Sequence, residues 1–320
     1  MKTPVILLTG FLGSGKTSLL GRLLRHPALT DTAVLINEFG EVGLDHHLLE
    51  RIDETVVLLR SGCVCCTVRG ELSQAIRTLH SRRDRGEVPS FRRLVIESTG
   101  LADPLPVMTT IAADPVLRHH FRMGAVITTV DAVAGRDTLM RQPENLVQVA
   151  VADRLVITKT DIAEPASLPA LIAELRAINP DAALVVAATD ELDAETLLAD
   201  GRPLCATIDR PVGHHGQAAS LSLIIDHPLD WTLFGLWLTM LLHCHGDRIL
   251  RVKGLLNIEG AVGPVAVHGV QQLVHVPTHL AAWPDMDRRS KLVFIVRGLD
   301  PTSIERSMRS FGLLRSIGTD

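Results

Sequence analysis

"MKTPVILLTGFLGSGKTSLLGRLLRH", residues 1–26, decides the fold. A short apolar run ends in the glycine-rich "GFLGSGKT" at 10–17, and the helical pattern "SLLGRLLRH" follows directly. The run, about five residues long, is too short for a secretory signal and reads as a first strand. The loop fits G-x-x-x-x-G-K-[ST] through Gly10, Gly15, Lys16 and Thr17, with strand before and helix after, the register a phosphate-binding loop requires. Glycine lets the backbone curl until successive N–H groups point inward at phosphate oxygens, and the helix N-terminus adds a favourable dipole. Gly10, Gly13, Ser14, Gly15, Lys16, Thr17 and Ser18 are the expected nucleotide cradle. In it, Lys16 neutralises β- and γ-oxygens and the Thr17 hydroxyl ligates Mg²⁺.

Outward from this strand the pattern repeats in "TAVLIN", "TVVLL", "RLVIES", "GAVITTVD", "DRLVITKTD" and "ALVVAA". Runs rich in Val and Ile, separated by helix-length segments, predict a mainly parallel sheet with crossover helices. The expected fold is α/β, a P-loop NTPase domain over residues 1–208. At "DRPVGHHGQAAS", 209–220, the pattern breaks into a polar stretch with Gly, Pro and His, which reads as a linker over 209–219. Residues 220–320 then alternate strand, helix, several hairpin-spaced strands and a last helix from Pro301 to Phe311, a small α+β domain.

Composition narrows the function classes. The chain has 320 residues, of which 46% are hydrophobic, enough for a sizeable core and two domains. A net charge of -4 lacks the basic excess of a nucleic-acid binder. The richest apolar stretch, "WTLFGLWLTMLLH" at 231–243, is too short for a membrane span and fits a buried helix. Five cysteines with three almost adjacent make a poor disulfide framework and suit a reducing compartment, so the cytoplasm is expected.

A P-loop needs a second acidic group near the Mg²⁺ at the end of a neighbouring strand. "RLVIESTG" supplies Glu97, to orient the magnesium shell or the attacking water, and Gly100, small enough to let a backbone N–H approach the γ-phosphate. "TKTD" at 158–161 resembles the guanine motif Asn-Lys-x-Asp with Thr158 in place of Asn. Asp161 can accept from both N1–H and N2–H₂ of guanine, a pairing adenine does not offer, while the Lys159 stem covers the base. GTP is therefore expected over ATP.

"SGCVCCTVRG", 61–70, places Cys63, Cys65 and Cys66 within four positions. In an extended segment the first two point the same way, and a turn at the third brings up to three thiolates together for a soft or borderline cation. Three protein ligands leave one tetrahedral position open, which suits a site that passes its metal on. Water, a partner's side chain, or a carboxylate of "NEFGE" (Glu38 or Glu41) would fill it. Packing of small buried thiols does not explain such crowding, and a disulfide between such neighbours would be strained. The fourteen histidines are a weaker signal: His243 and His245 flank Cys244 at a helix end, where residues two apart face away from one another. Cys205 and Cys244 have no visible partner and are expected to be buried.

These motifs in this order, the P-loop, "INEFGEVGLD" at 36–45, "SGCVCCTV", "ESTGLADP" at 97–104, "TKTD" and "RVKGLLNIEG", resemble the CobW-like P-loop GTPases, a family of metal-handling proteins. The resemblance spans nearly the whole chain. It implies that the loop with Asn37, Glu38, Glu41 and Asp45 responds to the γ-phosphate and approaches the metal. Members can carry an acidic residue just before the Asn; this chain has Ile36 there. The chain from 37 to 66 then links nucleotide switch to thiol cluster, so ordering the switch around GTP and Mg²⁺ changes metal affinity, and metal changes GTP affinity equally.

The expected protein is a slow GTPase, cycling between GTP and GDP, that carries Zn²⁺ or Co²⁺ to a client metalloenzyme recognised by the second domain. Neither nucleic acid nor membrane is an expected partner; a homo-oligomer dependent on nucleotide or metal is. The alternatives are a metal sensor or store with a regulatory nucleotide site, and an ATP-dependent small-molecule kinase.

Overall fold

The structure, a computed structural model, describes residues 2–26, 29, 31–37, 56–59, 68–187, 193–199, 212–215 and 218–314. The chain divides into two compact units, one comprising Met1–Leu171 with Ala182–Gly201 and the other Ile172–Asp181 with Arg202–Asp320.

The first part of the chain runs β1 (Thr3–Gly10), α1 (Lys16–Leu24), β2 (Thr32–Asn37), β3 (Val56–Leu59), α2 (Val68–Asp84), β4 (Arg93–Glu97), α3 (Leu105–Ala113) and α4 (Pro115–His120). It continues through β5 (Phe121–Asp131), α5 (Gly135–Arg141), α6 (Pro143–Val151), β6 (Arg154–Thr158), α7 (Ser167–Ile178), β7 (Ala183–Val186) and α8 (Ala194–Leu198). Each Val- and Ile-rich run quoted above is one of these strands. Val5, Ile6, Leu7 and Leu8 are at most 1% exposed, so both faces of β1 are covered, which is the condition a parallel sheet imposes. The seven strands pair in the order β3-β2-β4-β1-β5-β6-β7, and every pairing is parallel. On one face, Leu19, Leu20 and Leu23 of α1 pack with Ile6, Leu8, Val34, Ile36, Val95, Ile127 and Val156. Ile36, where family members can carry an acid, is thus a core side chain here.

Helix α2 starts two residues after Cys66, and Asp114 anchors it. The Asp114 carboxylate caps α4 by accepting from Val116 N and Leu117 N, and its other oxygen accepts from the Ser73 hydroxyl and from Arg77 Nη2 at 2.6 Å. Cap and guanidinium thereby tie α2 to the α3–α4 turn.

The second part contains β8 (Val212–His215), β9 (Ala218–Ile225), α9 (Trp231–His245), β10 (Ile249–Leu256), β11 (Val265–Val270), β12 (Leu273–Val274), β13 (Thr278–His279), β14 (Ser290–Arg297) and α10 (Pro301–Ser310). The sheet is antiparallel in the order β12-β11-β10-β14-β9-β8, with β13 beside β11. Strand β8 lies inside the stretch expected to be a linker. It is an edge strand, where polar residues and Gly are common, and its composition therefore imitates a connection. One sheet face presents Leu221, Leu223, Val252, Leu256, Leu292, Phe294 and Val296 to Phe234, Trp237, Leu242, Ile304 and Met308 of the two helices. Asp230 and Asp300 cap those helices by accepting from Leu233 N and Thr302 N. On the alternate positions, Ser220 Oγ donates to Ala177 O at 3.1 Å and Lys253 Nζ pairs with Asp181 at 2.6 Å, both charged side chains being buried. These contacts bring the end of α7 into the second unit. Among the described residues no helix is long and apolar enough to cross a membrane.

Burial alone would raise the Asp114 pKa, but the hydrogen bonds from Ser73, Leu117, Arg77 and Val116 outweigh it and hold the carboxyl at about 2. Because the folded value lies below the unfolded one, the stabilisation is complete above the unfolded value of 3.8 and is lost as pH falls toward about 2. Asp114→Asn keeps an acceptor for the cap but turns an amide NH₂ toward Ser73 and Arg77, and should cost about 1–2 kcal/mol in urea unfolding at pH 7. The gap to wild type should narrow between pH 4 and pH 3; a constant gap would contradict the assignment.

Candidate nucleotide and metal site

Parallel pairing places the C-terminal ends of β1, β4, β5 and β6 along one edge of the sheet. The loop after β1 curls there with φ of 139° at Gly10, 74° at Gly13 and 87° at Gly15. Gly15 is the residue before α1, in left-handed backbone where a side chain would be strained. Lys16 Nζ donates to Gly10 O at 3.0 Å and Phe11 O at 3.2 Å, which keeps the ammonium at the loop that would hold phosphates. Ser18 stands exposed on the first turn of α1.

Because β4 lies beside β1, its last residue reaches the start of α1. The Thr17 hydroxyl donates to Glu97 Oε1 at 2.6 Å, and Glu97 is 5% exposed. Hydroxyl and carboxylate are both hard oxygen donors, the set that Mg²⁺ takes. Thr17 and Glu97, expected to act together from sequence alone, are therefore adjacent.

Buried hydroxyls brace the loop from below. Ser14 Oγ and Thr129 Oγ1 share a hydrogen bond of 2.6 Å, Thr129 Oγ1 donates to Thr9 O, and Ser98 Oγ donates to Thr9 Oγ1. Thr158 Oγ1 donates to Ser14 O at 2.7 Å, joining the end of β6 to the phosphate loop. The departure from Asn thus has a physical account: a hydroxyl supplies the one donor that this loop carbonyl takes.

Lys159 follows in left-handed backbone (φ 55°), and its ammonium is held by Asp131 Oδ2 at 2.8 Å. Asp131 Oδ1 accepts from Val133 N and Ala134 N, so the carboxylate is fixed at both oxygens. Asp161 is exposed on the same loop. Asp131 was missed from sequence; an Asp closing an otherwise apolar strand in "AVITTVD" was the available signal.

The loop after β4 approaches the phosphate loop more closely than its composition suggests. A Cβ on Gly100 would lie 2.5 Å from Leu12 Cα and 2.6 Å from Leu12 N. Glycine is required at that position for backbone contact between the two loops, in addition to any approach to phosphate.

Glu38, Glu41 and Asp45, the thiols Cys63, Cys65 and Cys66, and Cys205 lie outside the described residues. Cys244 is exposed, contrary to expectation: it is one helical turn beyond Met240, on the face of α9 that also exposes Leu236. Among the described residues no three His, Cys, Asp or Glu side chains gather to hold a metal ion.

Fold and loop together define a P-loop nucleotide-binding protein. The chain matches the CobW/HypB/UreG nucleotide-binding domain over residues 4–186 and the cobalamin synthesis protein cobW C-terminal domain over 218–312, and it belongs to the CobW family. It is 34% identical over 299 residues to the zinc chaperone YjiA of Escherichia coli, covering 91% of this chain and 93% of that protein. It is 31% identical to the zinc chaperone CobW of Pseudomonas aeruginosa, covering 97% and 91%. The crystal structure of Zn(II)-bound YjiA GTPase from E. coli superposes with a TM-score of 0.76 at 29% identity, covering 99% of this chain and all of that one.

Gly100→Ala should force the two loops apart at a cost of about 1–3 kcal/mol, roughly ten- to hundredfold in affinity for a non-hydrolysable GTP analogue. Isothermal titration against wild type measures it, and unchanged affinity would contradict the close approach.

Proposed function

We propose that this protein is a GTPase that binds Zn²⁺ through Cys63, Cys65 and Cys66 and hands it to a client metalloenzyme, with metal affinity set by the bound nucleotide. The carrying observation is topological. β3 pairs in parallel with β2, and β2 with β4, so β3 runs toward the same sheet edge as the phosphate loop. Cys63 follows Leu59, the last residue of β3, by four positions, a reach of at most about 14 Å. β3 stands three strands from β1, roughly 14 Å at normal strand spacing. The acidic segment with Glu38 and Glu41 leaves from the end of β2, whose Ile36 is in register with Glu97. The segments that carry the acids and the thiols therefore begin at the sheet edge that bears the phosphate loop, which supports this reading.

GTP specificity follows from Asp161 with Lys159, the latter braced by Asp131. Lys16 and the loop N–H groups bind the phosphates and take up charge as the γ-phosphoryl leaves. The Thr17 hydroxyl would hold Mg²⁺, which would supply stabilisation of the charge developing on the phosphates. The Thr17–Glu97 hydrogen bond supports a role for Glu97 in orienting this shell. Zinc is cargo here, and Co²⁺ is accepted by the same borderline ligand set, so supply helps decide which ion is carried. Family relatives named zinc chaperones align along more than nine-tenths of this chain, which favours delivery over a small-molecule kinase activity.

Titration of Zn²⁺ into the protein loaded with GTP analogue, with GDP or without nucleotide should give metal affinities that differ by about fivefold or more, with a reciprocal shift in nucleotide affinity. Cys63→Ala/Cys65→Ala/Cys66→Ala should abolish tight zinc binding and make GTP turnover insensitive to zinc. Equal zinc affinity in all nucleotide states would reduce the protein to a store.

A further inference from the structure

Gln148, on α6, is completely buried, yet its side chain is aimed at the loop after β4. Its Nε2 donates to Gly100 O at 3.2 Å and to Ala102 O at 3.0 Å, the two carbonyls that flank exposed Leu101. Both acceptors require the NH₂ end of the amide, which fixes the side-chain orientation. At the other end, the Gln148 backbone carbonyl accepts from the Thr128 hydroxyl at 2.8 Å. Thr128 is on β5 and is in register with Thr9 of β1, one residue before the phosphate loop. The carboxamide oxygen Oε1 is buried without a hydrogen-bond partner.

We propose that Gln148 is a positioning residue for GTP hydrolysis, the latch that presents the Ser98–Pro104 loop to the γ-phosphate. In a trans peptide the carbonyl and the following N–H point opposite ways. Holding Gly100 O and Ala102 O toward α6 therefore turns the N–H groups of Leu101 and Asp103 away from it. Gly100 packs against Leu12 at the same time, so one buried side chain sets both the loop's peptide planes and its seat on the phosphate loop. The unpaired Oε1 leaves the same amide able to accept as well as donate. A loop that shifts when the γ-phosphate departs can exchange a carbonyl contact to Nε2 for an N–H contact to Oε1, without exposing the amide to water. The inference rests on the GTPase reading above and adds a residue from outside the loops that bear the motifs.

Gln148→Met retains length and apolar packing but removes both donors, and Gln148→Glu places a carboxylate against two carbonyls. In each purified variant, affinities for GDP and for a GTP analogue are measured together with kcat at saturating GTP. For Gln148→Met we expect GDP affinity within about twofold of wild type, analogue affinity reduced about tenfold, and kcat reduced at least tenfold. Gln148→Glu should lose more in the last two quantities. A purely structural role would lower GDP and analogue affinity together. Parallel losses, or wild-type kcat in a folded Gln148→Met protein, would overturn the proposal. Failure of the wild-type protein itself to hydrolyse GTP would instead sink the underlying GTPase reading.

Discussion

The pairing of β1 between β4 and β5, parallel on both sides, is the constraint on which the rest of the nucleotide site depends. Parallel strands all end at the same edge, so residues far apart in sequence arrive together without any loop having to travel. Thr17 and Glu97 are 80 positions apart and 2.6 Å apart in space because α1 starts where β1 stops and β4 stops beside it. The same geometry brings Asp131 and Lys159 together at the ends of β5 and β6.

A strand edge by itself does not make a rigid cradle, because the loops leaving it have few apolar contacts. Rigidity comes from short polar bonds in a dry place. The hydroxyls of Ser14, Thr129, Ser98 and Thr158 are each paired beneath the phosphate loop, where an unpaired hydroxyl would cost about 1–3 kcal/mol. Such a network favours one arrangement because any shift leaves several groups unsatisfied at once. In the proposed nucleotide site, preorganisation of this kind spares the loop N–H groups a rearrangement on meeting phosphate.

The second unit uses the opposite logic. Its antiparallel sheet puts apolar side chains on one face under α9 and α10, while alternate positions carry Ser220 and the buried Lys253–Asp181 pair. A buried pair contributes little net stability, because desolvation offsets much of the attraction, but losing one partner is costly. It therefore acts chiefly to fix where the end of α7 rests on the sheet.

Short-range patterning is legible across the parallel sheet. The apolar runs became strands, and G-x-x-x-x-G-K-T marked the phosphate loop because its chemistry needs those residue types in unbroken order. Thr17, Glu97, Lys159 and Asp161 stand out in the sequence for the same reason: each belongs to a local motif. Strand β8 has the composition of a connection, which an edge strand tolerates. Cys244 was expected inside, since helical phase at the end of an apolar helix depends on what the helix packs against. By itself, then, the amino-acid order determined the strands of the parallel sheet, their succession and the motif residues, all of which arise within about ten neighbouring positions. Only tertiary structure decided that Thr158 braces Ser14, that Asp131 holds Lys159, that Gly100 abuts Leu12 and that Gln148 grips the loop. Each of those contacts depends on which strands lie side by side, a choice made by the packing of the whole sheet.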